Sequence, residues 1–198
     1  VLFILHADHE QNCSANAVRA VGSSHVDPFT AVAAACAALY GPLHGGANER
    51  VMEVLDEIGS AERAEAWVRD ALARKVRIMG FGHRVYKTGD PRAKYLKTLC
   101  GQLADEAGRQ DMEQMADVIE TIIGQEKKLP PNLDWPSARL YHYMGLPVDL
   151  YTPLFVLSRV AGWSAHVIEQ HDGNRLIRPD HIYTGPEGRA FEPVDQRR

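Results

Sequence analysis

The chain contains few cysteines, and their spacing bears on the compartment in which the protein works. Among 198 residues there are three cysteines, Cys13, Cys36 and Cys100, and no two of them form a CxxC pair. An odd number of cysteines without paired spacing suits a reducing cytosol better than secretion, where disulfides persist. We therefore expect a cytoplasmic protein.

A large net charge and long hydrophobic runs are also lacking. The formal net charge is −4, which argues against general nucleic-acid binding, so any anion site must be a local cluster. The longest apolar run, Phe29 to Tyr40, is too short and too rich in alanine to span a bilayer. Residues 1–5 are apolar, but they lack a basic flank and lead directly into polar residues, unlike a signal peptide. We expect neither a nucleic acid nor a membrane as partner.

The chain is long enough for a sizeable core, but it begins abruptly. Hydrophobic residues make up 45% of the sequence, enough for one domain or two small ones. The first residue is Val1 rather than methionine, and no N-cap residue precedes the apolar start. We therefore expect this chain to be a piece of a longer protein.

Helical periodicity dominates the chain, and no stretch of strict alternation competes with it. Asp-Pro pairs, serine and asparagine mark the predicted helix starts, and glycine marks the predicted helix ends. No internal repeat is present, and periodicity fades after Gly173 into a tail that we expect to be extended on the surface. The predicted fold class is all-α, with helices from Asp27-Pro28 to Gly41, from Asn48 to Gly59, from Ser60 through Leu72, from Asp90-Pro91 through Leu103, from about Asp111 through Ile122, from near Pro136 to Gly145, and from Asp149 to Gln170.

The most informative segment runs from Gly80 to Arg92. It places His83 in a turn that two glycines open to close backbone approach, and Lys87 follows. Asp90-Pro91 then begins a helix whose first turn carries Arg92. A helix N-terminus favours anions, so a cation there is misplaced unless an anion comes to meet it. The segment predicts a site for a carbonyl compound flanked by negative charge.

Two further segments place histidines where chemistry is possible. Residues 41–49 put His44 between a helix stop and a helix start, although an ordinary interhelix turn with a solvent-exposed histidine would give the same pattern. Residues 6–12 offer His6 and His9 with nearby carboxylates, which could bind a metal ion. No third ligand follows at a recognisable spacing, so we predict no metal.

Two more segments carry charged residues in unusual surroundings. Residues 130–136 stiffen the approach to a helix and set Asp134 at its start, where a plain N-cap is the alternative interpretation. Residues 158–166 place Arg159 among apolar residues of a long helix. A buried arginine needs a partner, so an internal salt bridge is the alternative there.

Together these segments resemble the citrate synthase family, in the family's order and at its approximate spacings. The resemblance covers essentially the whole chain and corresponds to roughly the C-terminal half of a full synthase. It implies an all-helical fold in which a large and a small domain close over the substrates. Residues 1–46 would be part of the large domain, 47–148 the small domain, and 149–198 a return to the large domain and a C-terminal tail. The segments that carry the resemblance are residues 5–12, 41–49, 83–92, 131–134 and 158–159.

The family's reaction joins acetyl-CoA to the ketone of oxaloacetate and hydrolyses the citryl thioester, as the first step of the tricarboxylic acid cycle. By resemblance, Asp134 matches the general base that removes the methyl proton. His44 matches the neutral imidazole that donates a hydrogen bond to the thioester oxygen. His83 matches the group that polarises the oxaloacetate carbonyl. No cofactor is bound permanently, because acetyl-CoA is a substrate and CoA a product.

The resemblance also implies substrate contacts. His9, Arg92 and Arg159 match oxaloacetate ligands, since planar guanidinium groups bind carboxylates in pairs of hydrogen bonds. Arg178 matches an arginine that the family contributes from the neighbouring subunit, which implies a homodimer. The remaining matches concern CoA: the loop of Met79, Gly80, Phe81 and Gly82, with Lys87 for the phosphates and Asn132 near the pantetheine end.

Three alternatives stay open at this point. The 2-methylcitrate synthases share all these motifs and use propionyl-CoA, and a methyl-sized change of pocket is worth only about 1–3 kcal/mol. An inactive half-synthase acting as an all-α assembly module is a second alternative, although intact His44, His83 and Asp134 argue against a decayed site. A metal hydrolase built on His6 and His9 is the third.

Overall fold

The computed structural model describes residues 1–197. Over this range the chain forms helices and no β-strand, with one isolated bridge between Phe81 and Pro131, so the prediction of an all-α fold is confirmed. Short 3-10 turns lie at Val148–Leu150 and Val194–Gln196. The α-helices are α1 Leu2–His6, α2 Cys13–Gly22, α3 Pro28–Tyr40, α4 Ala47–Ile58, α5 Ala61–Ala73, α6 Pro91–Ala107, α7 Gln110–Lys127, α8 Asp134–Tyr143 and α9 Tyr151–Asp172.

The two Asp-Pro starts form as the sequence predicts. The Asp27 carboxylate accepts hydrogen bonds from the backbone N–H groups of Phe29 and Thr30 at 2.9 and 3.1 Å and so begins α3. The Asp90 carboxylate accepts from the N–H of Arg92 at 2.9 Å and begins α6. In each case proline fills the first turn, where its missing N–H costs nothing.

Two helices near the start of the chain were not predicted. Asn12 caps α2 by accepting a hydrogen bond from the N–H of Ala15 at 3.1 Å. The buried face of α2 consists of small residues and one valine (Ser14, Ala15, Val18, Gly22), which gives a weak hydrophobic periodicity. Helix α1 has five residues, too few for any periodicity to show.

Two predicted helix starts were wrong in register. Asn48 does not cap α4, because the helix begins at Ala47 and Asn48 is fully buried within its first turn. Asp134 does not cap α8 either, since Leu133 is the N-cap and Asp134 is the first helical residue. Asn132 accepts the N–H of Asp134 at 3.0 Å, so the Asp134 carboxylate is not used for capping. This removes the plain N-cap interpretation of Asp134.

The helices pack around two main hydrophobic clusters. Helices α4, α5, α7 and α8 bury the larger cluster, which includes Met52, Leu55, Ile119 and Trp135. Helices α2, α3 and α9 bury the second, which includes Trp163. Helix α4 contacts both α8 and α9, so it lies where the two clusters adjoin.

The segment after α9 has no helix beyond the short turn at Val194–Gln196, as expected for an extended tail. Its first residues dock on the end of α2, where Asn174 Nδ2 donates to the Ser23 carbonyl at 2.9 Å and the Ile177 N–H donates to Ser23 Oγ at 3.0 Å. In the described part of the chain, none of the helices is both long enough and apolar enough to cross a membrane.

Candidate active site

A cavity of about 740 Å³ brings together nearly all the residues that the sequence singled out. Its walls come from the loop after α1, the turn before α4, the loop between α5 and α6, the start of α8 and the middle of α9. Arg178 does not line it and is exposed in the tail. The predicted residues that do line it are His9, His44, Met79, Gly80, Phe81, Gly82, His83, Lys87, Arg92, Asn132, Asp134 and Arg159.

Asp134 has the properties of a base that works near neutral pH. Burial raises the pKa of its carboxyl group from 3.8 to about 7, and the neighbouring Arg92 charge only partly opposes this. A base is most effective when its pKa lies near the working pH. Because the carboxylate is not used for capping, it is available to the cavity.

His44 is held as a neutral imidazole with a defined tautomer. Its Nε2 accepts the backbone N–H of Ser14 at 3.3 Å and lies 2.8 Å from Ser14 Oγ. A backbone N–H can only donate, so the ring proton is on Nδ1. Burial lowers the pKa of His44 to about 4, assisted by the Arg159 charge. Trp163 Nε1 donates to Ser14 Oγ at 3.1 Å and fixes the serine in turn.

His83 also accepts backbone N–H groups with one ring nitrogen, but here the acceptor is Nδ1 rather than Nε2. Its Nδ1 accepts the backbone N–H groups of Val85 at 3.0 Å and Tyr86 at 3.3 Å, so its proton is on Nε2. Burial lowers the pKa of this ring as well. The turn that His83 closes in this way is the one predicted from the glycines that precede it.

His9 lies beside His83 at a ring-centroid distance of 5.3 Å. Its Nε2 is 3.0 Å from the hydroxyl group of Tyr86, a partner that the sequence did not predict. Burial, Arg92 and His83 together lower the pKa of His9 to about 4. At neutral pH His9 and His44 are therefore uncharged, and burial favours the uncharged form of His83 as well. The positive charge at the cavity comes from arginine and lysine side chains.

The anion that meets Arg92 in this conformation is Asp90. Arg92 donates to the Asp90 carboxylate twice, from Nε at 3.0 Å and from Nη2 at 2.7 Å. Burial alone would raise the pKa of Asp90, but the hydrogen bonds and charge of Arg92 outweigh it and the pKa is lowered. The prediction that an outside anion must compensate Arg92 at the helix N-terminus was therefore incomplete. Nη1 of Arg92 is not used in this pair.

Arg159 is buried and incompletely paired. It is 2% exposed, its Nε donates to the His6 carbonyl at 2.6 Å, and its guanidinium lies 4.8 Å from the centroid of the Phe155 ring. Within residues 1–197 it forms no salt bridge, and its buried Nη1 has no hydrogen-bond partner. This contradicts the internal salt bridge as an alternative. A buried cation with no carboxylate partner and an unused donor on a cavity wall is a binding position for an anion.

The glycine loop lies against the segment that precedes Asp134. The backbone N–H of Gly82 donates to the Pro130 carbonyl at 2.8 Å, and that of Asn132 donates to the Gly80 carbonyl at 2.9 Å. Asn132 Nδ2 also donates to the Gly82 carbonyl at 2.9 Å. Gly80 and Gly82 have φ values of 88° and 75°, which side chains other than glycine rarely adopt.

Several cavity residues were missed by the sequence analysis. Four further basic residues line the cavity and, together with Lys87, form what we call the basic group: Lys75, Arg77, Arg84 and Lys127. The basic residues directly before the glycine loop were a usable signal for the first two. Ser14, which holds His44 without lining the cavity itself, gave no signal, because this contact joins residues 30 positions apart.

The metal hypothesis finds no geometric support. His6 is fully buried, its Nδ1 donates to the Leu2 carbonyl at 2.9 Å, and its ring packs on Phe155 at 4.5 Å. His9 instead contacts His83 and Tyr86. The described residues contain no group of three or more histidine, cysteine or acidic side chains that could hold a metal ion.

The cavity of this all-α chain combines a carboxyl group whose pKa is about 7, neutral imidazole rings that can donate, and a buried guanidinium without a carboxylate partner. These are the components of an acid–base enzyme that acts on an anionic substrate. The family model for the citrate synthase C-terminal domain matches residues 1–180. The chain belongs to the citrate synthase family.

Individual relatives agree with this membership. Citrate synthase 2 of Bacillus subtilis (strain 168) is 52% identical over 194 residues, which cover 98% of this chain and 52% of the relative. The 2-methylcitrate synthase 1 of Corynebacterium glutamicum is 43% identical over 194 residues, covering 98% and 51%. Citrate synthase of Thermoplasma acidophilum, solved with carboxymethyl coenzyme A and oxaloacetate, superposes with a TM-score of 0.92 at 40% identity, covering 98% and 53%. The chain thus spans about half the length of the curated relatives it matches.

Proposed function

We propose that the complete gene product is a citrate synthase, which condenses acetyl-CoA with oxaloacetate and hydrolyses the citryl thioester to citrate and CoA. The observation that carries this proposal is the presence, on one cavity, of a carboxyl group with a pKa of about 7 and two neutral histidines that offer N–H donors. In cells the reaction would be the first step of the tricarboxylic acid cycle, in the cytoplasm.

Enolisation of the thioester requires a base and a donor that act together, because a thioester methyl group is a very weak acid. In this proposal the Asp134 carboxylate takes the methyl proton while His44 Nδ1–H donates to the thioester oxygen. One preorganised donor of this kind is worth about 3 kcal/mol, and a positioned base roughly a further hundredfold in rate. The Ser14 contact supports this role, since it keeps the His44 proton on the nitrogen that the contact leaves free.

The enolate carbon then attacks the ketone of oxaloacetate and forms the new carbon–carbon bond. The His83 Nε2–H donates to the ketone oxygen, which gains the charge in this step. Arg159 Nη1, the remaining donors of Arg92, and His9 would bind the two carboxylates of oxaloacetate. Attack of water on the citryl thioester releases CoA and citrate, so no permanently bound cofactor and no metal are required.

The CoA portion of the substrate would extend along the glycine loop. Met79, Gly80, Phe81 and Gly82 would contact the adenine through the loop backbone, and Asn132 would lie near the pantetheine end. The basic group, Lys75, Arg77, Arg84, Lys87 and Lys127, would bind the phosphates, since it places several cations on the same cavity. The Thermoplasma acidophilum relative was solved with carboxymethyl coenzyme A, which supports a CoA thioester as the substrate class.

The domain division and the oligomeric state are part of the proposal. Residues 1–46 and 149–198 would belong to the large domain and residues 47–148 to the small one, so that oxaloacetate bridges the two and draws them together. Arg178 would reach the oxaloacetate site of a second subunit in a homodimer, as the family resemblance implies. It is exposed and does not line the cavity of its own chain.

A 2-methylcitrate synthase is the second candidate, and the relative from Corynebacterium glutamicum favours keeping it. Steady-state turnover of oxaloacetate by the complete gene product, with acetyl-CoA and propionyl-CoA compared side by side, separates the two. A higher kcat/KM for acetyl-CoA is the expected result. Absence of turnover with either thioester would instead favour the inactive half-synthase acting as an assembly module.

A further inference from the structure

Trp135 joins the candidate base to the glycine loop. It directly follows Asp134, is fully buried, and packs on Phe81 at a ring-centroid distance of 4.6 Å. A Cβ atom added to Gly80 would meet the Trp135 indole at 2.9 Å. The indole is therefore the surface against which this loop rests, one residue away from the proposed base.

The position of the indole is fixed from the opposite side by polar contacts. Its Nε1 donates to Glu120 Oε1 at 2.8 Å, and Glu120 is held in turn by Lys97 at 2.5 Å. Arg139, which is fully buried, donates from Nη1 to the Trp135 carbonyl at 3.0 Å and from Nε to Glu113 at 2.6 Å. Helix α7 thus holds the first turn of α8 through two carboxylates.

The indole is packed closely as well as hydrogen-bonded. Trp135 belongs to the larger hydrophobic cluster, and the Arg139 guanidinium lies 5.2 Å from the centroid of its ring. Dispersion contacts of this kind have little directional preference. The bond from the indole N–H to Glu120 adds the directional contact that fixes how the ring is turned.

We propose that Trp135 is a positioning residue, which holds Asp134 and the Met79–Gly82 loop at a fixed separation because Glu120 sets the orientation of its indole. The assignment of Asp134 as base and of the loop as the CoA site rests on the proposed function. The claim that Trp135 orders the loop and the residues before Asp134 is independent of that function, and this order can be measured without any substrate.

The test compares Trp135→Phe with a matched control, a second tryptophan at the same hydrophobic cluster. Trp67, on α5, also donates from its indole to a glutamate, Glu57 Oε1 at 2.9 Å, but this glutamate lies on α4 rather than on α7. Trp67→Phe therefore removes the same kind of bond elsewhere. Glu120→Met is a second route to the same effect, since it removes the acceptor and leaves the indole in place, and it carries the test if Trp135→Phe does not fold.

Hydrogen exchange provides the readout that is independent of activity. In Trp135→Phe and Glu120→Met, peptides covering residues 79–83 and 130–134 should exchange faster, because the amides of Gly82 and Asn132 bridge these two segments. Peptides from α5 should be unchanged. Trp67→Phe should leave both active-site segments as in the unmodified protein.

Kinetics on the complete gene product provides the second readout. We expect kcat to fall about tenfold and KM for the thioester to rise, because a displacement of 1 Å costs roughly a hundredfold and a smaller one costs less. KM for oxaloacetate should stay within twofold, since His9 and Arg159 are held by other contacts. Unchanged exchange in both variants would overturn the inference. If the variants exchange faster but the unmodified complete gene product condenses neither thioester with oxaloacetate, the positioning role stands and the proposed function is wrong.

Discussion

Replacement of Asp134 by asparagine should remove activity and, at the same time, stabilise the fold above neutral pH. Burial raises the pKa of this carboxyl group from 3.8 to about 7. Between these values the folded protein holds a proton that the unfolded chain has released, so stability falls as the pH rises through this window. The amide of asparagine cannot ionise, so the free energy of unfolding of the variant does not fall with pH in this window.

The size of the effect follows from the shift. Each pH unit between the two pKa values corresponds to about 1.4 kcal/mol, so a shift of about three units sets an upper limit of about 4 kcal/mol at pH 8. Contact of the carboxylate with water in the cavity reduces this figure, and we expect a gain of about 1 to 3 kcal/mol. At pH 4 the variant and the unmodified protein should be equally stable.

The assay is urea unfolding of both proteins at pH 4, 6 and 8, together with turnover at pH 8. Turnover of Asp134→Asn should fall by at least about a hundredfold, with little change in oxaloacetate affinity. Asp105→Asn, an exposed carboxylate on α6, serves as the matched control and should change neither property. A stability difference that does not vary with pH, or near-normal turnover, would refute the reasoning.

Three further predictions test the other contacts of the site. Ser14→Ala keeps the backbone N–H that sets the His44 tautomer but removes the hydroxyl group, so we expect kcat to fall about tenfold with little change in KM for oxaloacetate. Arg159→Leu should weaken oxaloacetate binding by about 2–5 kcal/mol, measured by calorimetry. Arg159→Lys should restore little of it, because an ammonium group cannot reproduce the guanidinium fork. Subunits carrying Arg178→Ala and subunits carrying Asp134→Asn should be inactive alone, whereas mixed dimers should regain about one working site in two if Arg178 acts in trans. No recovery in proven heterodimers would place Arg178 outside the partner's site.

Local signals in the sequence predicted local structure well. Asp27 and Asp90 cap their helices through contacts that span two or three residues, so the sequence alone contains the whole interaction. Helix α2 was missed because its buried face is made of small residues, which weaken the hydrophobic period. The start of α8 was misplaced by one residue, because Asn132 rather than Asp134 supplies the acceptor.

The chemistry of the site depended on contacts that no spacing reveals. The bond between Ser14 and His44 joins residues 30 positions apart, and the bond between Trp163 and Ser14 joins residues 149 apart. The first contact decides which nitrogen of His44 carries the proton, and the second holds the serine in place. The sequence could name His44 as a candidate through a family resemblance, but the tautomer follows only from the packing of α2 against the turn before α4.

The charges around Asp134 lead to a last prediction, on the order of binding. The positive charges of Arg92 and Arg159 lower the pKa of Asp134 and so oppose the effect of burial. An oxaloacetate dianion bound to these arginines would offset their charge, and the carboxylate would then become a stronger base.

The base would thus reach its full strength only after oxaloacetate binds, which gives a physical reason for oxaloacetate to bind before the thioester. The pH dependence of two kinetic constants measures this difference. The profile of kcat/KM for oxaloacetate reports the pKa of Asp134 in the enzyme before oxaloacetate binds, and the profile of kcat reports it in the saturated complex. We expect the acidic limb of kcat to lie at higher pH than that of kcat/KM. In Arg159→Leu one of the two opposing charges is already absent, so the separation should be smaller. Coincident limbs in the unmodified enzyme would show that oxaloacetate leaves the base unchanged, and the order of binding would then need another cause.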